Sequence, residues 1–186
     1  MEDLRGKVVM VTGAARGMWK CTAMNFAREG SRVIITDLDE KELEKTASEM
    51  RDAGYDVHPY VQDVSDRAAC FKLVERVESE IGPIDVLVNN AAIALNESVL
   101  ETSEEHFRRI TDVNYFGQIW MMQAVVPGML RRESGHVVNM CSIAGKVAVP
   151  LMAAYCATKH TLIAVTDSIR MELRGSGVNF TIVNPG

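Results

Sequence analysis

Tyr155 and Lys159 stand at i and i+4, the spacing that puts two side chains on one face of a helix. An ammonium placed there can sit beside a phenol whose ordinary pKa is about 10. A nearby cation favours the phenolate and brings the group toward the range where general acid–base chemistry is efficient at neutral pH. Ser142, upstream at a strand end, could hold a substrate oxygen against that phenol. Alone, such a pair is most often a half-buried tyrosine beside a lysine whose stem lies along the surface.

The elements that must position these residues begin at the N-terminus. Residues 7–12 (KVVMVT) are an apolar run too short for a helix, which reads as a buried strand. It runs into Gly13-Ala14-Ala15-Arg16-Gly17, and a helix-compatible stretch covers 18–28. Strand, glycine turn and helix together hold a pyrophosphate: glycines let the backbone approach, and the helix N-terminus supplies free N–H groups and positive potential. A second strand over 32–36 (RVIIT) ends at Asp37, an acid placed to accept adenosine ribose hydroxyls.

The alternation continues along the chain. Helices are expected over 39–53, 66–81, 103–131 and 152–174, and strands over 56–61, 86–88, 136–140 and 179–183. Gly82-Pro83 is a helix stop signal, and Thr102 with Glu105 reads as a capping box opening the long helix that carries Asn114. Buried apolar strands separated by helices predict α/β architecture: a doubly wound parallel sheet, Rossmann-like, with helices on both faces in three layers. Without a repeat or linker, residues 1–186 read as one dinucleotide-binding domain.

On these motifs the chain resembles the short-chain dehydrogenase/reductase family. Thr12-Gly13-Ala14-Ala15-Arg16-Gly17 matches most of that family's T-G-x-x-x-G-x-G turn, and Asn89-Asn90-Ala91-Ala92 is similar to its N-N-A-G segment. Asn114, Ser142, Tyr155 and Lys159 match its catalytic tetrad in order and approximate spacing, and Pro185-Gly186 its P-G. The resemblance implies that Tyr155 is the acid/base and that Lys159 lowers its pKa and binds the nicotinamide ribose. It implies that Ser142 orients the substrate oxygen and that Asn114 supports a water path for proton relay. Around the cofactor it implies Gly13, Ala15, Arg16, Gly17 and Met18, then Asp37. Asp63 is expected beside the adenine, with Val64, Asn90, Tyr155, Lys159, Pro185 and Gly186 completing the set.

Two departures bear on function. Trp19 stands where the family carries the third glycine of the turn. A glycine there permits close helix–strand packing, so an indole must rotate outward or weaken dinucleotide binding. The chain also reaches Gly186 without the substrate loop, helix and seventh strand usual in the family, which suggests a truncated form or a missing C-terminal part, with an open substrate side.

The resemblance therefore implies hydride transfer between a nicotinamide cofactor and a secondary alcohol or ketone. NAD(H) is favoured over NADP(H) through Asp37, with Arg16 pulling weakly the other way. The alternative is a cofactor-compromised protein of the same fold that acts through protein contacts; the extended epimerase-type relatives are a third reading. Ile143, Val147, Val149, Leu151 and Met152 hint at a lipophilic carbonyl but could equally be core, and the helices 103–131 and 152–174 suit a homodimer or homotetramer.

Composition is consistent with this. A formal net charge of -5 without a basic run disfavours nucleic acid. No apolar stretch approaches the roughly 20 residues of a membrane span, and the N-terminus does not read as a signal peptide. The four cysteines lack C-x-x-C spacing and fit reduced thiols in a cytoplasmic protein, with no disulfide frame or zinc site. The eleven methionines read as core filler, and His58, His106, His136 and His160 as non-catalytic.

Overall fold

A computed structural model describes residues 3–186. In it six strands alternate with helices: β1 (Val8–Thr12), α1 (Gly17–Arg28), β2 (Arg32–Asp37), α2 (Glu40–Asp52), β3 (Val57–Val61), α3 (Arg67–Glu80) and β4 (Val86–Asn89). Then follow α4 (Glu104–Thr111), a π-helical turn (Asp112–Phe116), α5 (Gly117–Arg131), β5 (Gly135–Met140), a 3-10 turn (Ile143–Gly145), α6 (Ala153–Glu172) and β6 (Val178–Val183). All strand pairs are parallel, in the order β3-β2-β1-β4-β5-β6. The order reverses between β1 and β4, and the crevice outside the strand ends there is where doubly wound sheets bind ligands.

Strand alternation explains the layers. Val8, Met10 and Ile34 point to one face, into a core with Leu73, Val74 and Val77 of α3 and Met121, Val125 and Met129 of α5. Their neighbours Val9, Val11, Val33 and Ile35 point to the other, against Ala23 and Ala27 of α1 and Leu43, Ala47 and Met50 of α2. Because both faces are covered, β1 is buried at every position. β3 pairs with β2 alone and carries Pro59, tolerable because its missing N–H costs an edge strand nothing.

Two local expectations are corrected. The helix over 103–131 is not continuous: the π-helical turn Asp112–Phe116 interrupts it. A π turn takes an extra residue into the helix and re-aims its side chains, here delivering Asn114 inward. Gly117 follows because a Cβ there would lie 2.9 Å from Val64 Cγ2. Nor does Thr102 cap the helix. Ser103 is the cap, its Oγ accepting from His106 N–H at 3.1 Å, while Thr102 Oγ1 donates to Ser98 O at 2.9 Å. A hydroxyl one residue closer to the first turn reaches the free amides more directly.

Candidate active site

A cleft of about 460 Å³ opens along the C-terminal ends of β1, β2, β4 and β5. Its cofactor-side wall begins at the switch point. Thr12 Oγ1 accepts from the N–H groups of Asn90 and Ala91 at 3.0 and 3.1 Å. Asn90 Nδ2 donates to the carbonyls of Thr12 and Gly13 at 2.9 and 3.0 Å. The ends of β1 and β4 are thereby locked side by side. Gly13 must be glycine on two grounds: its φ is +66°, and a Cβ would lie 2.8 Å from Ala91 Cα. Gly17 has φ +65° with open space where a Cβ would stand.

Asp37, at the end of β2, is held in place by backbone. Its Oδ2 accepts from Ala15 N–H at 3.1 Å and its Oδ1 from Asp39 N–H at 3.1 Å. Ala15 is buried, and its carbonyl accepts from Thr46 Oγ1 at 2.7 Å. Asp63 faces the far end of the cleft. Burial pushes its carboxyl up, but hydrogen bonds from Ser65 and the charge of Arg109 hold it below the usual carboxylate range.

The catalytic end gathers residues from three elements. Lys159 of α6 is 1% exposed, and Nζ donates to Met140 O at 2.8 Å. Burial lowers its pKa to about 8, with Cys141 pulling it partly back. The same ammonium lies 5.5 Å from the Tyr155 ring centroid. Burial raises the Tyr155 phenol above its ordinary value, while Ser142 draws it down. Desolvation outweighs the pull of Ser142 on the phenol. Ser142 Oγ also caps the 3-10 turn, accepting from Ala144 N–H at 3.1 Å.

Asn114 is fully buried on the π-helical turn and its side chain is committed. Oδ1 accepts from Ile93 N–H and Nδ2 donates to Ile93 O, both at 2.8 Å; Nδ2 also reaches Thr158 Oγ1 at 3.3 Å. The side-chain amide therefore ties the loop after β4 to α6.

Of the expected residues, Gly13, Arg16, Asp37, Asp63, Val64, Asn90, Tyr155 and Lys159 line the cleft. Ala15 stands behind it, Met18 is 64% exposed, and Pro185 meets the Ser142 loop, its carbonyl accepting from Ile143 N–H at 2.9 Å. Sequence reading missed Thr36, Gln62 and Arg109 as lining residues. Thr36 and Gln62 directly precede the acids Asp37 and Asp63, a signal that was available. Arg109 arrives from α4 by packing alone. Trp19 did not rotate away: the indole lines the cleft and packs against the core between the sheet and α1 and α2.

The residues present fit a dinucleotide. Thr36 Oγ1, Gln62 Oε1 and Asn90 Oδ1 are buried, have no hydrogen-bond partner, and belong to residues lining the cleft. α1 has neither a side-chain cap nor an acid in its first turn, whereas α2, α3 and α4 are capped by Asp39, Asp66 and Ser103. Its free N–H groups are available to an anionic group. Lys159 has one protein acceptor among its hydrogen bonds, leaving donors of a buried ammonium for ribose hydroxyls.

A parallel sheet in 3-2-1-4-5-6 order with this cradle at its switch point defines a Rossmann-type dinucleotide-binding domain. The chain belongs to the short chain dehydrogenase family, whose model matches residues 7–186. It is 35% identical over 172 residues to rat 17-beta-hydroxysteroid dehydrogenase 13, covering 92% of this chain and 57% of that protein. Human estradiol 17-beta-dehydrogenase 11 is 31% identical over 99% of this chain and 62% of its own length. The chain thus spans less than two thirds of these relatives. A Burkholderia phymatum short chain dehydrogenase/reductase solved in complex with NAD superposes with TM-score 0.96 at 30% identity, covering 100% of this chain and 67% of that one. A metagenomic short-chain oxidoreductase in complex with NADP gives TM-score 0.95 at 31% identity, covering 100% and 84%.

Proposed function

We propose that this domain interconverts a secondary alcohol and a ketone using a nicotinamide dinucleotide. The observation that carries the reading is the placement of Tyr155 and Lys159 in one cleft with Gly13, Thr36 and Asp37, with Ser142 directly after the lining residue Cys141. The bound cofactor supplies or accepts the hydride. Ser142 Oγ hydrogen-bonds the substrate oxygen, and Tyr155 Oη takes the alcohol proton in oxidation or returns it to the carbonyl oxygen in reduction. Lys159 holds the nicotinamide ribose, and Asn114 fixes the loop that closes the site. Gly13, Gly17 and the start of α1 receive the pyrophosphate. Asp37 accepts the ribose 2′-hydroxyl and repels a 2′-phosphate, which favours NAD(H) over NADP(H).

The substrate we infer is lipophilic. Ile143, Val147 and Leu151, around Ser142, are exposed, which a core role does not explain. Leu151 holds φ +64° and its carbonyl accepts from Glu97 N–H at 2.8 Å, so the loop is pinned with its leucine turned out. The names of the hydroxysteroid dehydrogenase relatives agree with a lipophilic alcohol.

Self-association follows as a second part of the proposal. Ile119, Met122, Val126 and Pro127 of α5 and Val165 and Ile169 of α6 line an apolar groove, which a second copy would cover as a two-fold homodimer or in a homotetramer. A one-chain mass across a wide concentration range in light scattering would count against it. Among the described residues no helix is long and apolar enough to cross a membrane. A cytoplasmic location is our reading of four free cysteines, three of them buried.

Titration with NADH tests the core of this reading. Trp19 fluorescence should fall as the cleft fills, and secondary alcohols of increasing hydrophobicity should reduce NAD with increasing kcat/KM. Absence of both cofactor binding and turnover would reject it.

A further inference from the structure

The acidic end of β2 carries a carboxylate that ribose recognition does not require. Asp39 makes three contacts at once. Its Oδ2 accepts from Arg16 Nη2 at 2.8 Å, its Oδ1 accepts from Glu42 N–H at 3.2 Å, and its own N–H donates to Asp37 Oδ1 at 3.1 Å. The first contact is an ion pair with a cation that lines the cleft; the second caps α2; the third holds the ribose-binding acid. Arg16 immediately precedes Gly17, so the guanidinium is carried on the phosphate-binding turn itself.

A guanidinium beside the adenosine ribose is the natural partner of a 2′-phosphate, which it can bind through two parallel N–H bonds. Left free, Arg16 would oppose the selection that Asp37 exerts. We propose that Asp39 is a specificity-determining residue: it engages Arg16 and adds a second negative charge beside Asp37, so that this chain rejects the 2′-phosphorylated dinucleotide. Selection against a competitor by an occupied cation and a like charge needs no extra contact with the preferred ligand. This inference rests on the dinucleotide reading above.

Both partners are substantially exposed, at 66% and 38% of their side chains, which bounds the effect. An exposed pair shifts an equilibrium by about two- to fivefold, and removal of a like charge near a phosphate adds a comparable factor. The product is roughly tenfold, and it shrinks at high salt because the groups are solvent-screened.

Calorimetric titration with NADH and NADPH of the unaltered chain, Asp39→Asn, Arg16→Met and the double variant tests this. Asparagine still accepts from the Glu42 N–H, so α2 keeps its cap; Asp39→Ser serves as a second variant that also caps. Asp39→Asn should tighten NADPH about tenfold and leave NADH within about twofold. Adding Arg16→Met should remove the share that depends on the freed guanidinium and leave a gain of about threefold. An unchanged NADPH-to-NADH ratio in Asp39→Asn overturns the inference, as does a gain equally large without Arg16. If no variant nor the unaltered chain binds either cofactor, the dinucleotide reading itself has failed and Asp39 loses its role with it.

Discussion

The two ends of the cleft are built in opposite ways. At the cofactor end, the parts are nearly contiguous in sequence and made mostly of backbone: Gly13, Gly17, the uncapped start of α1, and Asp37 clamped by two amide groups. At the catalytic end, Ser142 follows β5 while Tyr155 and Lys159 share α6; Lys159 is buried, and Asn114 ties α6 to the loop after β4 through Thr158 and Ile93. The first end is preorganised by local geometry. The second is preorganised by burial, which costs stability because an ammonium is held out of water. Changes at the cofactor end should therefore act chiefly on affinity, whereas changes at the catalytic end should act chiefly on turnover and, at Lys159, on stability.

The sharpest break of that comparison comes from Tyr155→Phe. It removes the proton-transferring group while keeping the ring, so kcat should fall by about 10²–10⁴-fold with NADH affinity within about twofold. Parallel loss of turnover and binding, seen by steady-state kinetics and titration, would merge the two ends into one.

Lys159→Met tests the cost of burial. The lysine pKa is lowered from 10.5 to about 8 in the folded state. Between those values the unfolded chain binds more protons, so the stability of the unaltered protein rises with pH across this window. Below about 8 the full penalty applies, about 3 kcal/mol for a shift of this size. The variant should gain up to about that much in denaturant unfolding at pH 7, less at pH 10, and bind NADH more weakly. A gain independent of pH would show that the ammonium is not the source.

At the cofactor end, Trp19→Gly asks whether the indole in the cleft obstructs the dinucleotide. An overpacked side chain typically costs about 1–3 kcal/mol, so NADH should bind roughly one to two powers of ten more tightly. A helix glycine should also lower stability by about 1 kcal/mol. Equal affinities for NADH in the two proteins would show the indole to be harmless. The smallest expected effect is the share of the cofactor preference that Asp37 contributes, about tenfold in favour of NADH beside the share of Asp39. Tighter binding of NADPH in the same titration would reverse the role given to Asp37.

Legibility followed the same division. The strand–turn–helix at Gly13–Gly17 and the acid at Asp37 were readable because a tight turn and a strand end impose residue types locally. Tyr155 and Lys159 were readable as a pair because helical spacing alone brings them together. The π-helical turn at Asp112–Phe116 left no such trace. It depends on Asn114 finding the backbone of Ile93 and on Gly117 passing Val64, and both partners are distant in sequence. Arg109 near Asp63 is likewise a product of packing between α4 and the loop after β3.

What the sequence determined by itself is the alternation of buried strands and amphipathic helices, the glycine turn and the order of the reactive residues, since each follows from local periodicity or local backbone demands. Tertiary structure decided the charge states and the partners. The Tyr155 phenol is raised because it is buried, Lys159 is turned to the Met140 carbonyl, and Arg16 is taken by Asp39. Desolvation and ion pairing depend on which groups the folded chain brings within a few ångströms, and no local pattern encodes that.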